Sequence, residues 1–583
     1  MFFHHLNNVD QEKRLALSGR TYFEITFLKD FKFTTNASID KSYFNRTYSY
    51  NTEIGDGAPA GLLGKEDTIL TGVTYNQLLD YSKKLGEHNI SALFGHESFD
   101  YETNFTTGTK TGQVSPDNTE FINYATTTNL SSYSRNYSTE SYFSRVGYDY
   151  MSRYVLSASF RRDGSSKFAK DTRWGNFWSV GTAWNISNEK FLENNTLIND
   201  LKIRASIGET GNDSHTSNTG LSFYASQATF SLGFDNGSEG GTVTNAAAAT
   251  NLKWEVNTQK DVAVEFGLFK NRLKGSVEYY HRNTDGLIFS VPNPLSTGLD
   301  DRIENIGSMY NSGFEVSLDG TLLKSKDFSW NLNINASTIH NELTSLPQKE
   351  IISGTKKLAV GRSIYDYWLR DWYGVDPADG YALYVADPTL IVSGDSSARV
   401  VDGVNVTTDQ NKALYHYADS AIPDLFGSFT NTFKYKGIQL DVLFTYQLGG
   451  KIYDSNYQAL MHTGNNYGSA LSTDILNRWQ KPGDITDIPR LDINRNTQSS
   501  AASDRWLVDS DYLALRQINL SYKMPTDFIK KMNIDNATVY VNGENLLLFT
   551  KRVGMDPTQT FNGTTQNRFT PSRVISLGLN LNF

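Results

Sequence analysis

The stretch IYDYWLRDWYG, residues 364–374, gathers Tyr365, Tyr367, Trp368, Trp372 and Tyr373 around Asp366, Arg370 and Asp371. Aromatic faces beside a carboxylate and a guanidinium suit stacking on, and hydrogen bonding to, a polar, sugar-like ligand. The same rings would equally serve to pack strands together or to form part of an aromatic girdle at a membrane interface.

Other candidate chemistry is weaker. Asp371, Asp376 and Asp379 offer carboxylates for calcium, but the D-x-[DN]-x-[DN]-G spacing is not met and DPADG, residues 376–380, reads as a turn. His4 and His5 are adjacent and would point apart on a strand. In GLLGKED, Gly64 and Lys65 imitate a phosphate loop, yet Glu66 stands where Ser or Thr is required. No G-x-S-x-G or H-E-x-x-H occurs. The absence of cysteine removes thiolate ligands, disulfides and cysteine nucleophiles. The N-x-S/T triplets at Asn104 and Asn136 follow from a chain rich in Asn, Ser and Thr. The expectation is a binding or transport protein with no reaction, no cofactor and no resident metal.

The elements that must position such residues are strands. Hydrophobic residues make up 38% of the 583 and aromatics 13%, a mixture suited to two-sided strands rather than thick helical cores. In KDVAVEFGLF the apolar row is Val262, Val264, Phe266 and Leu268; after KNR it resumes as Leu273, Gly275, Val277 and Tyr279. That is a hairpin with one wet face. RYVLSASF repeats the pattern with Tyr154, Leu156, Ala158 and Phe160, and QLDVLFTYQ with Leu440, Val442, Phe444 and Tyr446. About eighteen such segments follow one another, many near the ~9–11 residues of a bilayer-crossing strand. Connections are unequal: short ones at 28–31, 149–153, 270–272, 324–327, 435–437 and 531–536, long ones expected at 104–130, 211–220, 234–252, 387–420 and 453–475. Short turns at one rim and long loops at the other describe an outer-membrane barrel.

No apolar run reaches the ~18 residues of a spanning helix, so membrane entry requires a closed barrel, in which every backbone group is paired. The apolar rows are charge-free at their centres, and Tyr279, Tyr280, Tyr446 and Trp178 would fit aromatic girdles. The formal charge is −9, with neither sign in a long block, which gives no nucleic-acid footprint.

Several stretches, in order, resemble the barrel of the SusC/RagA family of TonB-linked outer-membrane proteins of Bacteroidetes. They are RRDGSSKF (161–168), WGNFWSVGTAWNISNEKFL (174–192), LKIRASIGETGN (201–212), NLKWEVNTQ (251–259), ENIGSMYNSGFEVSL (304–318), WYGVDPADGYALY (372–384), RWQKPGDITDIPR (478–490), SDRWLVDSDYLALRQINLSY (503–522) and NGENLLLFTKRVGMDP (542–557). The resemblance implies oligosaccharide or similar large-nutrient uptake, a SusD-like surface lipoprotein as lid, and energy from the TonB complex through a plug. The signal peptide, carboxypeptidase-like extension, plug and opening strands of that family are not seen in residues 1–583. The whole chain therefore reads as a partial barrel domain, about 18 strands of an expected 22, with Met1 an internal methionine or the start of a split frame. Three alternatives stay open: a plugless surface barrel with a structural or adhesive role, a non-functional fragment, and a soluble carbohydrate-binding β-protein.

The closing SRVISLGLNLNF sets Ile575, Leu577, Leu579, Leu581 and Phe583 on one face. A terminal aromatic on an alternating strand resembles the signal read by the barrel assembly machinery, with outer-membrane lipid against the apolar row.

Overall fold

The computed structural model describes residues 8–116, 118–214, 222–234, 237, 239–291, 293–299, 301–464, 468–525, 529, 534–551, 554–560, 562–566, 568 and 570–582. His4, His5 and Phe583 lie outside the described residues. Two compact units result, one of Met1–Trp184, Ser206–Gln259 and Thr284–Ile306, the other of Asn185–Ala205, Lys260–Asn283 and Gly307–Phe583.

The first unit opens with an antiparallel meander of β1 (Val9–Phe27), β2 (Phe31–Tyr50), β3 (Leu62–Leu85), β4 (His88–Gln113), β5 (Tyr124–Tyr150), β6 (Tyr154–Ser165) and β7 (Trp174–Asn185). The short turns are tight: Leu28, Lys29, Met151 and Ser152 all take positive φ, as close hairpin connections demand. Register stacks the apolar rows. Leu156 of β6 faces Tyr148 of β5 and Thr182 of β7, and Ala158 faces Val146 and Val180. The row Tyr154, Leu156, Ala158 and Phe160 is exposed along its whole length, Leu156 at 49% and Phe160 at 48%. With Val146, Tyr148, Val180 and Trp184 also exposed, this is a continuous apolar band, well beyond the scattered hydrophobics of a water-facing surface.

The loop expected at 104–130 is absent. β4 continues to Gln113, β5 begins at Tyr124, and the two stay paired as Thr103↔Arg135, Phe105↔Tyr133 and Thr107↔Ser131. Here Phe105 and Tyr133 are flanked on their own face by polar residues and no apolar row continues, so the alternation that signals a strand is lost while the backbone ladder persists. Aromatics gather near the short turns. Phe27 stacks on Phe31 at 5.6 Å, Phe31 meets Tyr81 at a tilt at 4.8 Å, and Tyr150, Tyr154 and Trp184 line up at 6.5 Å spacings. Tyr279 is exposed, but its neighbour Tyr280 must point to the opposite face, where its hydroxyl donates to the Thr338 carbonyl at 3.5 Å. The two cannot share one girdle.

β8 (Ile198–Asn212), β9 (Glu255–Leu268) and β10 (Leu273–Asp285) follow, and Phe269, Lys270 and Asn271 make the expected turn in left-handed conformation. In the second unit β11 (Ser308–Lys324) pairs with β12 (Phe328–Ser337) and then β13 (His340–Ser345). The chain then builds short strands: β14 (Glu350–Ser353), β15 (Lys356–Ala359), β16 (Asp366–Arg370), β17 (Trp372–Val375), β18 (Ala382–Val385), β19 (Ala398–Val401), β20 (Val404–Thr407) and β21 (Tyr415–Ser420). They form two four-stranded sheets, ordered β14-β15-β16-β21 and β17-β18-β20-β19. The expected loop 387–420 thus contains three strands. The meander resumes with β22 (Leu425–Tyr435), β23 (Ile438–Leu448), β24 (Tyr512–Lys523), β25 (Asn536–Thr550) and β26 (Val574–Asn582). Among the described residues, eighteen strands belong to the large antiparallel sheet. RWQKPGDITDIPR carries no strand, as Pro482 and Pro489 require.

Candidate functional site

The aromatic stretch 364–374 lies in the small sheets of the second unit, and strand alternation divides it. On β16, Tyr367 and Leu369 turn into a core with Tyr453, Met461, Ile475, Ile488 and Trp506, while Trp368 and Arg370 face the other way. Tyr367 is fully buried, and its hydroxyl donates to the carbonyls of Lys451 at 3.0 Å and Gly563 at 2.5 Å. Burial raises its phenol above the ordinary range. Lys356 Nζ sits 3.3 Å from the centre of the Tyr367 ring and donates to the Tyr365 carbonyl at 2.6 Å. Burial pushes this amine down to about 7, with Asp366 pulling the other way.

Trp368 stacks on Tyr415 at 6.1 Å and meets Tyr417 edge-on at 4.9 Å. Cations cover these rings: Lys357 lies 3.9 Å over Trp368, Arg362 4.3 Å over Tyr417 and Arg370 4.8 Å over Tyr415. Trp372 packs edge-to-face on Tyr384 at 5.3 Å beneath Arg505, and its backbone N–H donates to Asp504 Oδ1 at 2.9 Å. Tyr373 donates its hydroxyl to the Val401 carbonyl at 3.2 Å. Tyr365 lines a mainly apolar cavity of about 270 Å³ with Ile422, Phe426, Ile452 and Pro557. The five rings are therefore not one platform. Tyr367 and Trp372 pack within the small sheets, Trp368 lies against Tyr415 and Tyr417 under Lys357, and Tyr365 lines a cavity.

The acidic cluster also separates. Asp376 and Asp379 close the β17–β18 turn by accepting the N–H groups of Ala378 and Tyr381, and both pair with Arg399. Arg399 holds the Asp379 carboxyl below the usual carboxylate range against burial, which acts to raise it. Asp371 instead lies near His416 and Asp504, with ligand atoms within 4.8 Å of one another. This trio could share a divalent ion, and His416 Nε2 already meets Asp504 Oδ2 at 3.1 Å. Burial, with Asp371 adding to it, raises the Asp504 carboxyl, and His416 opposes the shift.

Sequence reasoning missed a second cavity, also about 270 Å³ and of mixed polarity, lined by Asp454, Asn456, Tyr457, Asp556, Gln566 and Arg568 among others. Its residues come from segments a hundred positions apart. The one legible signal was Asp556-Pro557 inside the MDP stretch.

On β26, Ile575, Leu577, Leu579 and Leu581 are exposed on one face, opposite Gly543, Val541, Val539 and Ala537 of β25. A family model described as TonB dependent receptor-like, beta-barrel, matches residues 3–356. The chain belongs to that family. It is an outer-membrane β-barrel of antiparallel strands. It resembles TonB-dependent receptor P3 of Formosa agariphila, 30% identical over 99% of this chain and 59% of that protein. TonB-dependent receptor SusC of Bacteroides thetaiotaomicron is 26% identical over 88% of this chain and 50% of SusC. In structure the RagAB peptide transporter matches 99% of this chain and 63% of its own, with a TM-score of 0.87 at 24% identity. The chain thus spans about half to three-fifths of the length of these relatives. Proteins of this family are receptors and transporters, not enzymes.

Proposed function

We propose that this chain is the barrel part of an importer of large nutrients, oligosaccharides foremost, working with a SusD-like surface lipoprotein and with TonB energy delivered through a plug. The observation that supports it is the extent of the likeness: barrel strands and small loop sheets alike, 99% of the chain, align with TonB-dependent receptor P3. In this reading residues 1–583 are one partial domain, the barrel assembly machinery inserts it, and the loop sheets carrying Tyr365, Trp368 and Tyr373 frame the entrance used by cargo. The sheets suit that task because each is anchored by buried phenol hydroxyls rather than by mobile loop contacts.

The test is deletion of the gene in its host, followed by growth on single glycans and on peptides as sole nutrient. Loss of growth on a glycan, restored by the full gene but not in a strain lacking TonB, is the expected result. Co-purification of a surface lipoprotein in mild detergent checks the lid. Unchanged growth on every nutrient, with loss of attachment to surfaces instead, would establish an adhesive barrel and sink the uptake reading.

A further inference from the structure

The mixed-polarity cavity in the second unit is built from two segments. One begins the short helix α1 (Ser455–Leu460), with Asp454 before it and Asn456 and Tyr457 within it; the other is the stretch carrying Asp556, Gln566 and Arg568. Asp454 is 4% and Asp556 8% exposed, so both carboxylates sit in the wall rather than in open water. Asp556 uses one oxygen locally: Oδ1 accepts the Thr558 N–H at 2.9 Å and the Thr558 hydroxyl at 2.7 Å. Its Oδ2 receives no donor from any described residue. Asp556 lines the cavity, so a ligand held there can donate to this second oxygen. Opposite in kind, Arg568 brings guanidinium donors that form no ion pair among the described residues, and the Gln566 side-chain amide is likewise unengaged there. Tyr457, held by its hydroxyl on Asp474 at 2.9 Å and edge-on to Trp506 at 5.9 Å, supplies a rigid ring.

The inventory selects a ligand class. An anionic ligand would meet two wall carboxylates, and a cationic one would meet Arg568. A neutral polyol offers, at each hydroxyl, one proton for a carboxylate or amide oxygen and lone pairs for a guanidinium or amide N–H. The volume, about 270 Å³, is slightly below the roughly 300 Å³ at which pockets for drug-sized ligands begin, and suits one ring rather than a chain. We propose that this cavity is a subsite for a single neutral pyranose unit of a glycan, with Asp556 and Arg568 as its hydrogen-bonding pair and Tyr457 as its wall. The proposal rests on the uptake reading only in taking a glycan as cargo.

The experiment uses the full chain extracted from outer membranes in detergent, titrated calorimetrically with the hexamers of maltose, cellulose, xylan and mannan type, and with hexagalacturonate and chitosan hexamer as charged probes. Saturable binding of at least one neutral hexamer is expected, weakened tenfold or more by Asp556→Asn and by Arg568→Gln in barrels that still show normal heat-modifiability. Arg568 is exposed at the cavity edge, so its variant keeps the test independent of folding. Binding of charged hexamers alone, of no hexamer, or of a neutral hexamer with both variants unaffected, overturns the subsite. Binding without any TonB-dependent growth sinks the uptake reading and leaves the subsite standing. Growth on a neutral glycan that Asp556→Asn and Arg568→Gln leave intact, with binding also intact, does the reverse.

Discussion

The hydroxyl of Tyr367 is bonded to the carbonyl of Gly563, 196 residues further along the chain. The same hydroxyl reaches Lys451, so one buried phenol ties the small sheet of β16 to the segments on either side of α1. Tyr367→Phe keeps the ring and its packing but removes the hydroxyl proton from the Lys451 and Gly563 carbonyls, the latter keeping the Tyr453 N–H at 2.7 Å. The expected loss is about 1–3 kcal/mol, confined to the loop sheets. Limited proteolysis should show faster cleavage in 451–470 and 555–570 while the barrel keeps its heat-modifiable band; identical cleavage would deny the staple.

In the first unit Lys167 and Asp213 form a pair whose side chains are 8% and 12% exposed, at 3.2 Å. Asp213 Oδ2 also accepts the hydroxyls of Tyr137 and Ser165, each at 2.8 Å, and Lys167 lies 4.6 Å over the Tyr137 ring. Asp213→Asn strands a buried ammonium and should cost about 3–5 kcal/mol. Asp213→Asn with Lys167→Met should recover a large part of that, because the second change removes the unpaired charge. Thermal unfolding of the three variants in detergent measures the coupling; simple additivity would count against the pair.

The barrel was legible because its exposed apolar rows repeat every second residue, and Leu156, Ala158 and Phe160 announce that face without any partner being known. The polar extensions of β4 and β5 were not, since Thr103, Thr107 and Ser131 offer no row of either kind and only the ladder makes them strands. The site was half legible. Sequence showed that 364–374 concentrates aromatics, but Tyr367 and Trp368 are neighbours, and a strand sends neighbours to opposite faces. What each ring does depends on Gly563, Arg505 and Tyr417, residues whose proximity no local pattern encodes. The mixed-polarity cavity was illegible for the same reason: Asp454 and Asp556 meet only through the fold.

Lys356 makes the loop sheets pH-dependent. Its folded pKa of about 7 lies below the ordinary 10.5 because burial disfavours the ammonium. Between these values the folded state binds fewer protons than the unfolded state, so stability rises as pH increases from about 7 and levels off near 10.5. Below about 7 the amine is charged in both states and the penalty is constant, moderated by the Tyr367 ring beneath it. Lys356→Met should flatten the rise, on the order of a few kcal/mol across the window. Pulse proteolysis at pH 6.5 and 9.5 would show it; equal slopes in both proteins would refute the assignment.

β26 allows the two faces of a single strand to be compared directly. Leu577 and Leu579 stand opposite Val541 and Val539, whereas Ser576 and Asn580 stand opposite Asn542 and Thr538. If the apolar row meets hydrocarbon, Leu577→Arg should cost about 2–4 kcal/mol near mid-bilayer, while Ser576→Arg, one residue away on the wet face, should cost little. The amount of assembled, heat-modifiable barrel in the outer membrane reads the difference. Phe583→Ser, two positions after Leu581 in the sequence, tests a separate idea: if the terminal aromatic is a signal to the assembly machinery, the substitution should lower assembly without adding a charge. A defect in Leu577→Arg with none in Phe583→Ser would keep the lipid face and reject the signal. Equal defects in Ser576→Arg and Leu577→Arg would reject the facing itself, because nothing but the surroundings of the two rows distinguishes adjacent positions on one strand.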